Sequence, residues 1–324
     1  MRVLVTGAAG FVGGYLIREL RRAHHTVVAL DAVLPPERHR IPARTGSGET
    51  DWHRVDLLDP VATAQIVADR QPEALIHLAA IASVPQSHAD PEQTYRVNVQ
   101  GTLNLLRILR NHAPTARMLV ISTAQVYGNR LRSSPLRENS LLDPGNAYAE
   151  SKAWADFLAL LYAERLGLAV MTARPHNHTG PGQAARYAAP AFARQVAAVV
   201  RGHGQLPLRT GNLDSRRDIS DVRDVVAAYR LLLENGRPGR AYNVASGQLI
   251  TMREILETFC RFAGIQPAVR VDPQRWRPTD ESPLLDTAAL RRDTGWEPKI
   301  PLEETLQAVW EEALAERECN DGEA

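Results

Sequence analysis

Short apolar runs alternate with amphipathic stretches along most of the chain. Each run has the length and composition of a strand covered on both faces, and each amphipathic stretch repeats its apolar residues at helical spacing. The runs predict strands before Gly7 and at residues 26–30, 52–56, 74–80, 117–122 and 241–247. The periodic stretches predict helices at residues 15–22, 61–70, 91–112, 148–165, 225–233, 252–263, 285–298 and 302–316.

This repeated alternation of strand and helix predicts an α/β fold. Right-handed crossovers give a parallel sheet with helices on both faces, the doubly wound Rossmann type, and we expect a smaller C-terminal α/β domain beside it. We assign residues 1–174 and parts of 211–250 to the first domain, 175–210 and 251–317 to the second, and 318–324 to a disordered polar tail.

The first strand leads directly into a glycine-rich turn with the spacing GxxGxxG. A pyrophosphate needs backbone N–H groups and the positive end of a helix close to it. Gly7 would make the sharp turn, Gly10 would leave room for the phosphates, and Gly13 would let the helix pack on the strand. Asp31, after the second strand, is in the range where a carboxylate binds a ribose 2′-hydroxyl. Together these residues predict a dinucleotide site.

The composition narrows the classes of partner. A formal net charge of +1 gives no electrostatic reason to expect nucleic acid or an anionic membrane surface. The two cysteines, Cys260 and Cys319, lie in settings that suggest neither a disulfide nor a metal cluster. The chain starts with a core strand rather than a signal peptide, and no apolar run approaches the roughly 18 residues that span a bilayer. We therefore expect a soluble, cytoplasmic protein without a metal.

A second set of polar residues has the pattern of an acid–base site. Thr123 follows the predicted strand at 117–122, and Tyr148 and Lys152 lie four residues apart at the start of a predicted helix. This spacing puts the phenol and the ammonium on one helix face. Because a nearby cation favours phenolate, we expect the pKa of Tyr148 to be lowered towards the working range of a general acid or base.

The glycine turn, the strand-end hydroxyl and the Tyr-x-x-x-Lys pair, in this order, resemble the extended short-chain dehydrogenase/reductase family, in particular its nucleotide-sugar branch. The resemblance covers nearly the whole chain. It implies that Tyr148 exchanges a proton with the sugar oxygen, that Lys152 holds the nicotinamide ribose, and that Thr123 hydrogen-bonds the reacting oxygen. It also implies that Asn98 is structural and that the C-terminal domain binds a nucleotide-diphosphate sugar.

The same resemblance, together with the glycine turn, selects the residues that contact the cofactor. They are Gly7, Gly10, Phe11, Val12, Gly13, Asp31, Asp56, Leu57, Leu78, Ala79, Ala80, Tyr148 and Lys152. The charge of Asp31 repels a 2′-phosphate and residues 32–34 offer no cation to neutralise one, so NAD(H) is favoured. NADP(H) stays open because Arg38 and Arg40 could reach the site. We interpret His77, at the end of a buried strand, as a packed side chain rather than a catalyst.

The second half of the chain narrows the substrate. Residues 174–183, RPHNHTGPGQ, are rich in glycine and proline, as in a rigid binding loop. They resemble the corresponding loop of reductases that act on GDP-4-keto-6-deoxy-mannose. His176 and His178 have no cysteine or carboxylate near them in sequence, so we do not interpret them as a metal site. The resemblance implies substrate contacts from Gln125, Asn177, Arg216, Arg277 and Asp280.

Three reactions share this catalytic apparatus within the branch. A 4,6-dehydratase ordinarily has a glutamate after the catalytic threonine, whereas this chain has Ala124 and Gln125. An amide cannot act as that base, so dehydration of GDP-mannose is disfavoured unless a carboxylate such as Glu150 replaces it. We predict a reductase that converts GDP-4-keto-6-deoxy-mannose to a GDP-6-deoxyhexose of the GDP-rhamnose type. The alternatives are a redox-neutral 4-epimerase and, more remotely, a sensor that binds cofactor without turnover.

Two helices carry more apolar positions than contact with one sheet requires. They are the predicted helices at 91–112 and 148–165, and the surplus includes Leu158, Leu161 and Tyr162. Such helices form a four-helix contact in the family, so the resemblance implies a homodimer.

Overall fold

The computed structural model describes residues 1–35, 50–128, 135–276 and 281–316. Its strands are β1 (Arg2–Thr6), β2 (Thr26–Asp31), β3 (Asp51–Arg54), β4 (Ala74–His77), β5 (Arg117–Ile121), β6 (Val170–Pro175), β7 (Asn177–Thr179), β8 (Leu208–Thr210), β9 (Arg216–Asp221), β10 (Ala241–Val244), β11 (Leu249–Thr251) and β12 (Val269–Val271). Its α-helices are α1 (Phe11–Arg22), α2 (Pro60–Arg70), α3 (Val84–Ala89), α4 (Pro91–Tyr95), α5 (Gly101–His112), α6 (Ala147–Leu166), α7 (Ala188–Val200), α8 (Val222–Asn235), α9 (Met252–Ala263), α10 (Ala288–Thr294) and α11 (Leu302–Ala315).

A seven-stranded sheet with the order β10-β6-β5-β4-β1-β2-β3 forms the centre of the molecule. Every neighbouring pair in it is parallel. The direction of winding reverses between β1 and β4, so the carboxyl ends of these two strands open a crevice there. This order confirms the predicted α/β fold with a doubly wound parallel sheet.

Two apolar cores cover the two faces of this sheet. One contains Leu16, Ile17 and Leu20 of α1 together with buried residues of α8. The other contains Val67 of α2 and Leu106 of α5, with further residues of α6. Because both faces are covered, the strands are almost continuously apolar, which is the pattern that predicted them.

The remaining strands form two small sheets, with the orders β11-β9-β7 and β12-β8. Beside them, α7, α9 and α11 enclose a third core of their own, which includes Phe192, Phe259 and Trp310. The domain boundaries drawn from the sequence stay a prediction.

The predicted helix at 91–112 is interrupted. The chain forms α4, then a π-helix at Arg96–Gln100, then α5. The wider turn contains the buried Asn98, whose amide donates to the carbonyl oxygen of Ile81 at 3.1 Å and to Oγ of Ser151 at 2.9 Å. Asn98 makes a second hydrogen bond with Ile81, in which the N–H of Ile81 donates to Asn98 Oδ1 at 2.8 Å. Asn98 therefore joins the chain after β4 to helix α6, which supports the structural role implied for it.

Other boundaries differ by a few residues. Helix α1 begins at Phe11, four residues before the predicted start, because the glycine turn leads straight into it. The predicted helix at 285–298 is confined to α10, which ends at Gly295 with φ +71°. Arg216 lies on strand β9 and not on a loop.

Some predictions fall on residues that the structure does not describe. These are Arg38, Arg40, Arg277, Asp280 and the tail at 318–324. Among the described residues, no helix is both long and apolar enough to span a bilayer.

Candidate active site

The glycine turn follows β1 and lies against the residues that follow β4. Gly7 has φ +69°, and a Cβ on it would lie 2.6 Å from the backbone nitrogen of Ala79. A Cβ on Gly13 would lie 2.4 Å from the carbonyl oxygen of Ala8. Real Cβ atoms do not approach backbone so closely, so both glycines are required by the packing of the turn itself.

Gly10 has a different environment. A Cβ on it would meet only the carbonyl oxygen of Gly7, at 3.3 Å, and Gly10 caps α1 without any side-chain hydrogen bond. It borders a cavity of about 510 Å³, which Ala9, Gly14 and Asp31 also line. A cavity at the N-terminus of a helix fits a pyrophosphate. The residues of the turn therefore fit a dinucleotide.

Asp31 ends β2 at the same cavity. Its carboxylate accepts from the N–H of Ala9 at 2.9 Å and from the N–H of Val33 at 3.1 Å, which fixes it beside the turn. Arg18 of α1 also lines this cavity. Arg18 was not predicted from the sequence, because it lies on α1 and not among the residues that follow Asp31. The cavity thus combines a carboxylate suited to a ribose 2′-hydroxyl with a guanidinium suited to a 2′-phosphate.

The end of β4 closes the other side of the crevice. His77 is buried, with Nδ1 2.8 Å from Oγ1 of Thr6 and Nε2 3.0 Å from Oγ1 of Thr102. Burial first, and then the charge of Lys152, lower the pKa of His77 to about 3, so the imidazole is neutral. It is a packed, hydrogen-bonded side chain, as expected. Leu78, Ala79 and Ala80, which follow it, are partly exposed.

The third predicted cofactor segment follows β3. Asp56 is exposed, and its Oδ1 accepts from the N–H of Leu58 at 2.9 Å. The side chain of Leu57 packs in the core, and its carbonyl oxygen accepts from Asn104 Nδ2 at 2.9 Å. Asp56 therefore presents its side chain to solvent, whereas Leu57 directs its own into the protein.

Thr123, Tyr148 and Lys152 come from two elements that meet at the end of β5. Thr123 follows β5 and caps a short 3₁₀-helix, while Asn146 caps α6 just before Tyr148. The hydroxyl of Thr123 and the phenol of Tyr148 are hydrogen-bonded. Lys152 lies one turn further along α6 and is 3% exposed. The structure thus brings together Thr123 and Tyr148 and adds a buried cation on the same helix face.

The pKa of Tyr148 moves in the direction opposite to the expected one. Burial raises it to about 12, and the hydrogen bond with Thr123 lowers it only in part. Burial also lowers the pKa of Lys152 to about 8, against the opposing effect of Asp156. The expectation of a lowered phenol pKa is wrong for the ligand-free protein because desolvation exceeds the favourable interactions. At neutral pH both groups carry their protons.

The two residues after Thr123 carry no acid. Ala124 is buried, and Oε1 of Gln125 accepts from Asn146 Nδ2 at 3.4 Å. Glu150 is held elsewhere, because its Oε2 accepts from the phenol of Tyr95 on α4 at 2.6 Å. That contact ties Glu150 to the neighbouring helix.

A buried network behind the site was not foreseen from the sequence. Arg174, at the end of β6, donates from Nε to Asp156 Oδ2 at 2.7 Å and from Nη1 to the phenol oxygen of Tyr127 and the carbonyl oxygen of Glu138, both at 2.8 Å. Tyr127 ends the 3₁₀-helix that Thr123 caps, and Asp156 lies one turn after Lys152. The network therefore links the two catalytic segments. The one signal in the sequence was the four-residue spacing between Lys152 and Asp156.

Two of the predicted substrate residues, Asn177 and Arg216, lie on the small three-stranded sheet. Asn177 begins β7 opposite Ile219 of the neighbouring strand β9, and Arg216 begins β9. Both are exposed, and Nε of Arg216 lies 3.6 Å from Oε1 of Glu281. Arg277 and Asp280 lie outside the described residues.

Residues 174–183, predicted as a loop, form the end of β6, strand β7 and a turn, and they contact helix α1. His178 stacks on Phe11 with ring centroids 6.5 Å apart and an interplanar angle of 7°. The phenol of Tyr15 donates to the carbonyl oxygen of Pro181 at 2.8 Å. Nε2 of His176 is hydrogen-bonded to the carbonyl oxygen of Pro283 at 2.7 Å. The described residues contain no group of histidine, cysteine, aspartate and glutamate side chains able to hold a metal ion.

Comparison with known proteins agrees with this geometry. Residues 4–309 match the family model described as GDP-mannose 4,6 dehydratase. The chain is 36% identical over 320 residues to the GDP-6-deoxy-D-mannose reductase of Pseudomonas aeruginosa, which covers 97% of this chain and 99% of the relative.

Two solved structures have the same fold over nearly the whole chain. One is RMD from Pseudomonas aeruginosa complexed with NADPH, with a TM-score of 0.82 and 34% identity, covering 97% of this chain and 99% of the other. The second is the Thermus thermophilus UDP-glucose 4-epimerase complexed with NAD, with a TM-score of 0.84 and 30% identity over the same shares of the two chains. The chain therefore belongs to the GDP-mannose 4,6-dehydratase family, among the enzymes of the extended short-chain dehydrogenase/reductase type.

Proposed function

We propose that this enzyme reduces the C4 carbonyl of GDP-4-keto-6-deoxy-mannose and so forms a GDP-6-deoxyhexose of the GDP-rhamnose type. Its 36% identity with a GDP-6-deoxy-D-mannose reductase supports this substrate class. NAD(H) is the favoured cofactor because of Asp31, and Arg18 in the same cavity allows NADP(H).

The likeness over 97% of the chain to a GDP-6-deoxy-D-mannose reductase carries the proposal, and the site adds the proton donor that this reaction needs, Tyr148. Reduction leaves negative charge on the C4 oxygen, and a proton donor must neutralise it. A phenol whose pKa burial raises to about 12 is an acid at neutral pH.

Three residues of the chain have separate roles in the proposed reduction. Tyr148 donates its proton to the C4 oxygen, and Thr123 hydrogen-bonds that oxygen. Lys152 holds the nicotinamide ribose, and its ammonium stabilises the phenolate that remains. The nicotinamide, when bound, supplies the hydride.

Recognition of the nucleotide sugar is assigned to the small sheet and to the neighbourhood of Thr123. Asn177 and the guanidinium of Arg216 bind the diphosphate, a geometry for which arginine is well suited. Gln125 binds the sugar, and Arg277 and Asp280 complete the nucleotide site. The cofactor contacts that the sequence predicts are part of the same proposal.

Dehydration is the weaker alternative. It needs a base near C5 of the sugar, whereas Ala124 and Gln125 offer none and Tyr95 holds the carboxylate of Glu150. Epimerisation uses the same three catalytic residues, so the direct test must distinguish net consumption of reduced cofactor from its recycling.

An assay of NADH and NADPH oxidation tests the proposal. We expect oxidation of one equivalent of reduced cofactor per GDP-4-keto-6-deoxy-mannose, and much slower turnover of the dTDP, UDP and CDP analogues. Absence of oxidation with every sugar would overturn the proposal.

A matched pair of tyrosine variants tests the role of the phenol. Tyr148→Phe should lower kcat by roughly two to four orders of magnitude, the usual range for loss of a general acid, while cofactor binding is nearly unchanged. Tyr162→Phe, on the same helix but packed against the core, should keep full activity. Unaltered turnover in Tyr148→Phe would exclude the mechanism.

We further propose a cytoplasmic homodimer in which α6 contributes to a four-helix contact. Of the surplus apolar residues expected from the sequence, Leu158 and Tyr162 pack against the core. The exposed apolar residues within α6 are instead Trp154, 55% exposed, and Phe157, 53% exposed, with Leu166 exposed at its C-terminal end. The rings of Trp154 and Phe157 form a T-shaped pair with centroids 6.1 Å apart, a rigid apolar surface suited to a second copy of this chain.

A further inference from the structure

The ion pair between Asp156 and Arg174 is almost completely buried. The side chain of Asp156 is 1% exposed and that of Arg174 is 5% exposed. Both close contacts from the guanidinium go to the same carboxylate oxygen, Oδ2, at 2.7 Å from Nε and 2.6 Å from Nη2. The second oxygen, Oδ1, is also buried and has no hydrogen-bond partner among the described residues. An uncompensated buried carboxylate oxygen is costly, so its position calls for an explanation.

The position of Asp156 on α6 explains why its carboxylate lies there. Asp156 follows Lys152 by four residues, so the two side chains share a helix face. Side chains on a helix lean towards its N-terminus, which directs the Asp156 carboxylate back over the turn that carries Lys152. Both residues are buried, and charges in such surroundings attract each other more strongly than in water.

The choice of amino acid at position 152 fits an electrostatic role. The chain contains 38 lysines and arginines, and Lys152 and Lys299 are its only lysines. An arginine stays charged in almost any protein environment, whereas a buried lysine loses its proton readily. A lysine in the site therefore needs a partner that keeps it charged.

We infer that Asp156 is a positioning residue that keeps the buried ammonium of Lys152 charged, and that Arg174 fixes the carboxylate in the place where it does so. The catalytic consequence rests on the proposed reductase function. The electrostatic relation between Asp156 and Lys152 does not depend on it.

Other titratable groups around Lys152 do not take over this role. From β4, His77 faces it, but that imidazole is neutral and its pKa of about 3 keeps it so. On α6 itself, Tyr148 is a neutral phenol and Glu150 is bound to Tyr95. From β6, Arg174 contributes a positive charge that Asp156 neutralises.

The two lysines make a direct measurement possible. In protein labelled with ¹³C at lysine Cε, NMR titration should give two signals, with Lys299 as the internal reference. We expect the pKa of Lys152 to fall by about one unit in Asp156→Asn, because the attraction is lost while the burial remains. Asp293→Asn is the matched control, since Asp293 is also 1% exposed and pairs with Arg237 away from α6.

The direction of the shift separates an electrostatic role from a merely structural one. Loosening of the protein would hydrate Lys152 and raise its pKa towards the ordinary value. An unchanged or raised pKa of Lys152 in Asp156→Asn would therefore overturn the inference, as would an equal fall in Asp293→Asn.

A second variant keeps the test decisive. Asp156→Asn leaves Arg174 buried and unpaired, which can prevent folding. The double variant Asp156→Asn/Arg174→Gln leaves no unpaired charge. We expect the pKa of Lys152 to fall there too, but by less than in Asp156→Asn, because a positive charge is removed together with the negative one; an unchanged or raised pKa contradicts the inference. In turnover assays, the loss of kcat at high pH should begin at a lower pH in both variants. An inactive wild-type enzyme would count against the proposed function, and the NMR result would still decide the inference.

Discussion

Lys152 is a charged residue in surroundings that disfavour charge. Its side chain is buried, and burial lowers its pKa to about 8 from the ordinary value of 10.5. The folded protein therefore binds this proton less tightly than the unfolded chain does. Lys152 lowers the stability of the fold below about pH 8, and this effect disappears as the pH rises towards 10.5. Function keeps a residue here that the fold alone would not select.

Replacement of Lys152 tests whether this residue lowers the stability of the fold. Lys152→Met should abolish turnover and raise the free energy of unfolding at pH 7 by up to about 3 kcal/mol, which is the pKa shift converted at 1.36 kcal/mol per unit. Urea unfolding at pH 7 and pH 10 measures the effect, and the gain should shrink at the higher pH. Lys299→Met, at an exposed site, is the control and should change stability little. A Lys152→Met protein less stable than wild type at pH 7 would show that the charge of Lys152 does not destabilise the fold.

At the scale of elements, the glycine turn contains residues that the fold requires and one, Gly10, for which we propose a role in binding the cofactor. Gly7 and Gly13 have no room for a Cβ, whereas a Cβ on Gly10 or Gly14 meets nothing closer than 3.3 Å. The sequence presents these glycines as one motif. Only the packing separates their roles.

Two alanine variants test the role proposed for Gly10. Gly10→Ala should fold like wild type but weaken binding of NADH and NADPH at least tenfold, because the added methyl occupies the space proposed for the phosphates. Gly14→Ala, one turn later, should fold normally and weaken binding much less, since its Cβ would meet only the end of the Arg18 side chain at 3.5 Å. Fluorescence titration gives the affinities and thermal unfolding checks the fold. Equal affinities in the two variants would exclude the turn as the phosphate site.

Local patterns predicted most of these elements, and the misses have a common cause. The order of strands and helices, the glycine turn and the Tyr148–Lys152 spacing depend on residues close together in sequence. The π-helix around Asn98 exists because its amide bonds Ile81 and Ser151, which no hydrophobic period reveals. Arg18 and Arg174 likewise acquire their roles from distant partners. The pKa of Tyr148 was predicted in the wrong direction because burial is a property of the folded protein.

At the scale of the whole molecule, the outer face of α6 determines the proposed assembly. Trp154 and Phe157 leave a large apolar area exposed on the helix that also carries Tyr148 and Lys152. A dimer at this face would place the two active sites behind one shared helical layer. The position of the catalytic helix would then depend on the partner as well as on its own sheet.

Single charges introduced on the surface test this assembly. Trp154→Glu should convert the dimer to a monomer at micromolar concentration, because it buries a charge in an apolar contact. Val61→Glu on α2, where the valine is 78% exposed, should leave the dimer intact. Light scattering measures both. A monomeric wild-type protein, or a dimeric Trp154→Glu variant, would contradict the proposed contact.

The most direct test of the reductase proposal follows the hydrogen that reaches C4. The enzyme is supplied with GDP-4-keto-6-deoxy-mannose and reduced cofactor carrying deuterium at the transferred position, and the product is examined by mass spectrometry and NMR. We expect one deuterium at C4 of the GDP-6-deoxyhexose for each cofactor oxidised. A sugar product without deuterium, formed while the reduced cofactor is not consumed, would contradict net reduction at C4.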